Sequence, residues 1–132
     1  MTERDGEKLI LIVEDEEKNL KLVRDVLQFS GFRTLEARDG EAGVALARQH
    51  RPDLILMDIQ LPGIDGVTAL EQLRREPTTR AIPVVALTAS AMRADRERFL
   101  GAGFDGYLMK PINIKEFPEQ VRRFCDGTTQ GR

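Results

Sequence analysis

Glu14-Asp15-Glu16, Asp58, Thr88 and Lys110 each follow directly on a short apolar run: Leu9–Val13, Leu54–Met57, Val84–Leu87 and Gly106–Met109 in turn. In open α/β sheets, ligands bind beyond the carboxyl ends of the strands, so these positions converge on one rim. Glu14, Asp15 and Asp58 would repel one another there, and crowding raises carboxyl pKa values unless a cation intervenes. No Cys or His stands near them in the sequence, which disfavours zinc and other soft-site metals. Carboxylate oxygens with retained waters suit Mg²⁺. Lys110 and Thr88 beside such a cation would each hold one oxygen of a transferring phosphoryl group. The carboxylate itself would be the nucleophile, giving an aspartyl phosphate.

The elements that must position these groups follow from the apolar pattern. Leu9–Val13, Leu54–Met57 and Val84–Leu87 are nearly unbroken apolar runs, as in strands covered on both faces. Arg33–Ala37 and Gly106–Met109 are of mixed polarity and read as edge strands. Helices lie between them. Leu20, Val23 and Leu27, with Leu22 and Val26 beside them, give one apolar stripe over Glu17–Phe29, and Gly31 ends it. Asp39 caps a helix to about His50, and Asp65 caps one over Val67–Arg75. A fourth helix runs from about Met92 to Ala102, and the last ends near Phe124. Asn113 and Glu116 resemble a capping box, but Pro118 would then sit in the second turn, so the helix is expected to start near Phe117 with Pro118 at its first position. Five β-α units in succession imply right-handed crossovers and a doubly wound parallel sheet with helices on both faces.

Length and composition agree with one globular domain: 132 residues, 41% hydrophobic and 32% charged. With 20 basic and 22 acidic side chains the formal charge is −2, against the basic stripe of a nucleic-acid binder. The longest apolar run, Leu9–Val13, is too short to span a bilayer, and Met1–Lys8 lacks the apolar core of a signal peptide. The single cysteine, Cys125, suggests a reducing compartment, and a cytoplasmic setting is expected. The expected domain is 8–125, with flexible ends at 1–7 and 126–132 and no output domain, since too few residues follow to form one.

Four stretches, in order and each at a strand end, carry a family resemblance. They are Ile12-Val13-Glu14-Asp15, Leu54 through Asp58 to Gly66, Pro83-Val84-Val85-Ala86-Leu87-Thr88-Ala89, and Tyr107-Leu108-Met109-Lys110-Pro111-Ile112. Over roughly Lys8–Phe124 the sequence resembles the response-regulator receiver domain of two-component signalling. It resembles the single-domain, cell-cycle type and equally the receiver part of hybrid kinases, and the initiator Met and short ends favour the stand-alone expectation. The resemblance implies a flavodoxin-like fold with strand order 2-1-3-4-5. It implies that Asp58 accepts phosphate from a sensor histidine kinase or a histidine phosphotransfer protein. Asp15 directly, Glu14 through water, Asp58 and the backbone carbonyl of Gln60 would hold Mg²⁺. Thr88 and Lys110 would hold the phosphoryl oxygens, and Ala89 would leave room for them. Thr88 and Tyr107 fall at switch positions, and the Lys110-Pro111 bond is expected to be cis. Gln60 and Ser90 occupy positions that tune dephosphorylation in the family. The output would be contacts with a downstream protein at the face of the fourth helix, fifth strand and fifth helix, as a monomer or phosphorylation-dependent dimer, with no nucleic acid and no membrane. One departure is Glu14, where many receivers carry a first aspartate.

Other readings compete. A haloacid-dehalogenase-like phosphatase would also use an aspartyl phosphate but needs a second Asp two residues on, where this sequence has Gln60. A flavin or nucleotide carrier would show a Gly-rich phosphate loop, and neither common form is present. A phosphoacceptor module rather than an enzyme is therefore expected. Asp39, Asp53 and Asp65 read as cap or turn residues. His50 reads as a helix-end charge, Cys125 as an inert thiol, and Arg93, Arg96 and Arg98 as a solvated face diluted by Asp95 and Glu97.

Overall fold

The computed structural model describes residues 8–89 and 92–126. Ten elements alternate: β1 (Leu9–Val13), α1 (Glu17–Phe29), β2 (Arg33–Ala37), α2 (Gly40–His50), β3 (Leu54–Asp58), α3 (Gly66–Arg75), β4 (Val84–Thr88), α4 (Arg93–Ala102), β5 (Gly106–Met109) and α5 (Phe117–Cys125). All strand pairs are parallel and the sheet order is β2-β1-β3-β4-β5. The apolar runs are the three inner strands, and the two mixed ones are the edges, as their polarity requires. Asp58 and Thr88 are the last residues of their strands rather than the first beyond them. Among the described residues no helix is long and apolar enough to cross a membrane. The expected flexible ends lie outside the described residues apart from Asp126, whose N–H bonds the Arg122 carbonyl at 2.9 Å.

Strand periodicity divides the core in two. Ile10, Ile12, Leu54, Leu56, Val85 and Leu87 face one side, with Leu20, Val23 and Leu27 of α1 and Phe117 and Val121 of α5. Leu11, Val13, Ile55, Met57, Val84 and Ala86 face the other, with side chains of α2, α3 and α4. The buried residues of α1 are the Leu20, Val23, Leu27 stripe.

Side-chain caps set most helix starts. Asp39 accepts from Ala42 N at 2.7 Å and Asp65 from Thr68 N at 2.9 Å. The Asp65 helix starts one residue earlier than expected, at Gly66. A side chain at Gly66 would place its Cβ 2.6 Å from the Asp58 carbonyl oxygen, so only glycine lets α3 begin against the end of β3. The last helix does start at Phe117, but Pro118 takes the second helical position. Asn113 caps the turn before it, accepting from Lys115 N and Glu116 N at 3.0 and 3.2 Å. Asp53 is structural, as expected, and accepts from Leu9 N at 2.8 Å.

At the sheet end opposite the rim, Arg74 ties three segments. Its guanidinium donates to the carbonyls of Arg80, Ile82 and Gly103 and to Asp105 Oδ2 at 2.8 Å. The same Asp105 oxygen accepts from Val84 N at 2.8 Å, where β4 begins. Arg74→Ala is expected to lower the unfolding free energy by about 1–3 kcal/mol, through lost charge-assisted bonds. Arg74→Lys should recover little, lacking the planar fork. A urea midpoint equal to that of the wild type would show that the bonds have no net value.

Candidate functional site

Strand register brings the chemistry-bearing residues to one rim. Val13 pairs with Met57, so Glu14 stands level with Asp58. Asp58 pairs with Leu87, and Leu87 with Leu108, so Lys110 lies two residues beyond that level. The flexible four-carbon stem of Lys110 spans the offset. Its Nζ donates to Asp58 Oδ2 at 3.2 Å and to Glu14 Oε1 at 3.3 Å. Its backbone N–H donates to the Thr88 carbonyl at 2.8 Å, extending the β4–β5 ladder. The Lys110-Pro111 peptide bond is cis, as expected.

Backbone amides hold the two acids from the other side. Glu14 Oε2 accepts from Glu16 N, and Asp58 Oδ1 from Gln60 N, both at 3.1 Å. Glu14 is wholly buried and Asp58 and Thr88 are 5% exposed, while Asp15 lies in solvent. Glu14, Asp15 and Asp58 present oxygens within 4.8 Å of one another. This all-carboxylate set fits a hard divalent cation such as Mg²⁺. A cavity of about 300 Å³ opens over the rim, lined by Asp58, Ile59, Gln60, Thr88, Ala89 and Lys110 and walled by Asp95, Arg98 and Phe99 of α4. Asp58, Gln60, Thr88, Ala89 and Lys110 line this cavity, and Glu14 and Asp15 stand beside Asp58 at the rim; Ser90 lies outside the described residues.

The electrostatics differ in one respect from the expectation of mutual repulsion. The Glu14 carboxyl is pushed up from 4.5 to about 7, and burial is the largest cause. The Glu16 amide opposes it, the Asp58 charge and a hydrogen bond with Asp58 add to it, and Lys110 opposes it less strongly. For Lys110, burial is the largest single influence and works against the ammonium, but the charges of Asp58 and Glu14 and the hydrogen bonds to them together outweigh it and hold the group above its ordinary value. The rim therefore attracts positive charge.

Tyr107 is half-buried against the α2–α3–α4 core. Its hydroxyl accepts from Arg96 Nη1 at 3.2 Å, and the guanidinium carbon lies 5.8 Å from the ring centroid. The sequence reading missed this contact and the α4 wall, because a run of arginines in a polar helix reads as a solvated face. The signal was Phe99, the one buried residue of α4, since Asp95 stands one turn before it on the same face. Cys125 packs partly buried beside the α1–α5 core.

The comparisons with known proteins agree with this geometry. A family model described as the response regulator receiver domain matches residues 10–122. The chain is 45% identical over 117 residues to the polar-differentiation response regulator DivK of Brucella anthropi, covering 89% of this chain and 95% of that one. The DivK of Brucella ovis is 44% identical over the same span. Among solved structures, the receiver domain of a Pseudomonas aeruginosa sensor histidine kinase, with a magnesium ion coordinated in its active-site cleft, has a TM-score of 0.83 at 37% identity, covering 90% of this chain and 98% of that one. The Mn²⁺-bound form of the response regulator Rcp1 has a TM-score of 0.75 at 30% identity, covering 96% of this chain and 100% of that one.

The Glu14 shift sets a pH dependence. A carboxyl raised in the native state binds its proton more tightly folded than unfolded. Stability is then greatest below the ordinary value and falls as pH rises from 4.5 to about 7. In chelator, the difference in urea midpoint between wild type and Glu14→Gln should move in favour of the variant across that window. A difference constant with pH would refute the shift.

Proposed function

This chain belongs to the response regulator receiver family, and from that membership we propose that Asp58 accepts a phosphoryl group from the phosphohistidine of a sensor histidine kinase or a histidine phosphotransfer protein. The observation that carries the reading is the Lys110 ammonium bonded to both buried acids, with Lys110 and Asp58 lining a cavity. Asp58 Oδ attacks phosphorus as the bond to the donor imidazole breaks, and the imidazole nitrogen keeps the electron pair. The Gln60 amide on Asp58 Oδ1 orients the carboxylate. Lys110 and the Thr88 hydroxyl hold phosphoryl oxygens, and Ala89 leaves them space. Glu14, Asp15, Asp58 and the Gln60 carbonyl would hold Mg²⁺. When bound, it supplies positive charge against the phosphoryl oxygens and relieves the acidic rim.

The output is a change of surface read by another protein. Phosphorylation adds about −1.5 to −2 charge and three acceptor oxygens at Asp58. Thr88 has one hydroxyl to donate and is drawn toward the new group, which vacates space behind it. Tyr107 then leaves Arg96 and turns inward, and the face of α4, β5 and α5 changes shape for a downstream protein. Moving such an equilibrium from 1:99 to 99:1 takes ~5.5 kcal/mol of differential stabilisation, within reach of a phosphoryl group held by a cation and an ammonium.

Phosphodonor plus Mg²⁺ should give an acid-stable, base-labile adduct on the wild type, and none in chelator. Asp58→Asn should abolish labelling, and full labelling of that variant would overturn the assignment. An NMR shift map with a beryllofluoride mimic should show changes at Thr88, Tyr107 and α5. In Thr88→Ala the Tyr107 change should be lost. Changes confined to the Asp58 rim would remove the route to α5.

A further inference from the structure

The cavity over Asp58 has two cationic side chains in its lining, and they are differently engaged. Lys110 is bonded to Glu14 and Asp58. Arg98 stands in the α4 wall with its side chain 65% exposed. It is tethered by one long contact, Nη2 to Asp95 Oδ1 at 3.5 Å, and its guanidinium carbon lies 5.2 Å from the centroid of the buried Phe99 ring. Phe99 is the one buried residue of α4, and Arg98 follows on from Asp95 along the wall of the cavity.

In-line displacement places the leaving group on the side of phosphorus away from Asp58. The cavity is lined by Asp58 and Lys110 and, from α4, by Asp95, Arg98 and Phe99. Lys110 is bonded to the acceptor, and a guanidinium in the α4 wall would be the cation left for the leaving group. We propose that Arg98 is a specificity-determining residue for the phosphodonor, favouring small donors whose leaving group is a carboxylate, the acyl phosphates, over donors whose leaving group is a neutral amine. This deepens the reading of Asp58 as phosphoacceptor and rests on it. For an acyl phosphate, the bond from phosphorus to the bridging oxygen breaks as the bond to an Asp58 carboxylate oxygen forms. The bridging oxygen keeps the electron pair and leaves as carboxylate, and no proton is required. Negative charge thus grows on the leaving oxygen in the transition state, where a planar guanidinium stabilises it.

The test uses the full chain with Mg²⁺ and two donors, acetyl phosphate and phosphoramidate, with labelling of Asp58 followed by intact mass. Arg98→Gln should slow labelling by acetyl phosphate about three- to five-fold, the size expected of one exposed charge, and should not slow labelling by phosphoramidate. Arg98→Lys should recover most of the acetyl phosphate rate. The wild-type preference for acetyl phosphate over phosphoramidate should narrow as salt rises. Equal slowing with both donors, or no slowing with either, overturns the assignment of Arg98 while leaving the phosphoacceptor reading intact. A wild-type chain labelled by neither donor overturns the phosphoacceptor reading and this inference with it.

Discussion

Two carboxylates, Glu14 and Asp58, are removed from water within reach of each other, and one ammonium stands between them. Burying like charges is costly unless they are paired and hydrogen-bonded. Here each acid has one backbone amide and a share of Lys110. That is enough to hold the arrangement but not to satisfy it, because Glu14 still titrates far above an ordinary carboxyl. The unrelieved charge makes the rim a place where a cation or a phosphoryl group held by cations lowers the energy.

The rest of the structure serves this arrangement. The inner strands are apolar on both faces, so the sheet is pinned from two sides and its register is firmly set. Register levels Glu14 with Asp58 and offsets Lys110 by two residues, a distance a lysine covers and a shorter side chain would not. Gly66 lets the next helix start against the Asp58 carbonyl. Arg74 and Asp105 tie the opposite end of the sheet, where β4 begins.

Helix α4 is the exception to this rigid frame. Phe99 is its one buried residue, and its first turn has no side-chain cap. Few buried contacts mean a low cost of displacement. Yet this helix touches both ends of the proposed route from Asp58 to the surface: Asp95 and Arg98 wall the cavity, and Arg96 holds Tyr107. An element loosely packed and joined to both places is suited to pass a change at Asp58 to the β5 edge.

Periodicity together with cap and stop residues determined the order of the ten elements and which strands are inner and which edge, because a buried parallel strand and an amphipathic helix leave distinct patterns along the chain. Strands β3 and β4 each run one residue further, to Asp58 and Thr88. The family motifs singled out Asp58, Thr88 and Lys110, since their spacing is set by where strands stop. Three things were decided only by tertiary structure. The Pro118 helix start depended on Asn113 capping the preceding turn, a choice between two local solutions. The rise at Glu14 came first from burial, which depends on the helices and strands closing around it, whereas the residue types alone point to repulsion. The partners of Arg96 and Arg98 depended on which way α4 faces the sheet. A helix held by a single phenylalanine carries too weak an apolar stripe to declare that orientation in its sequence.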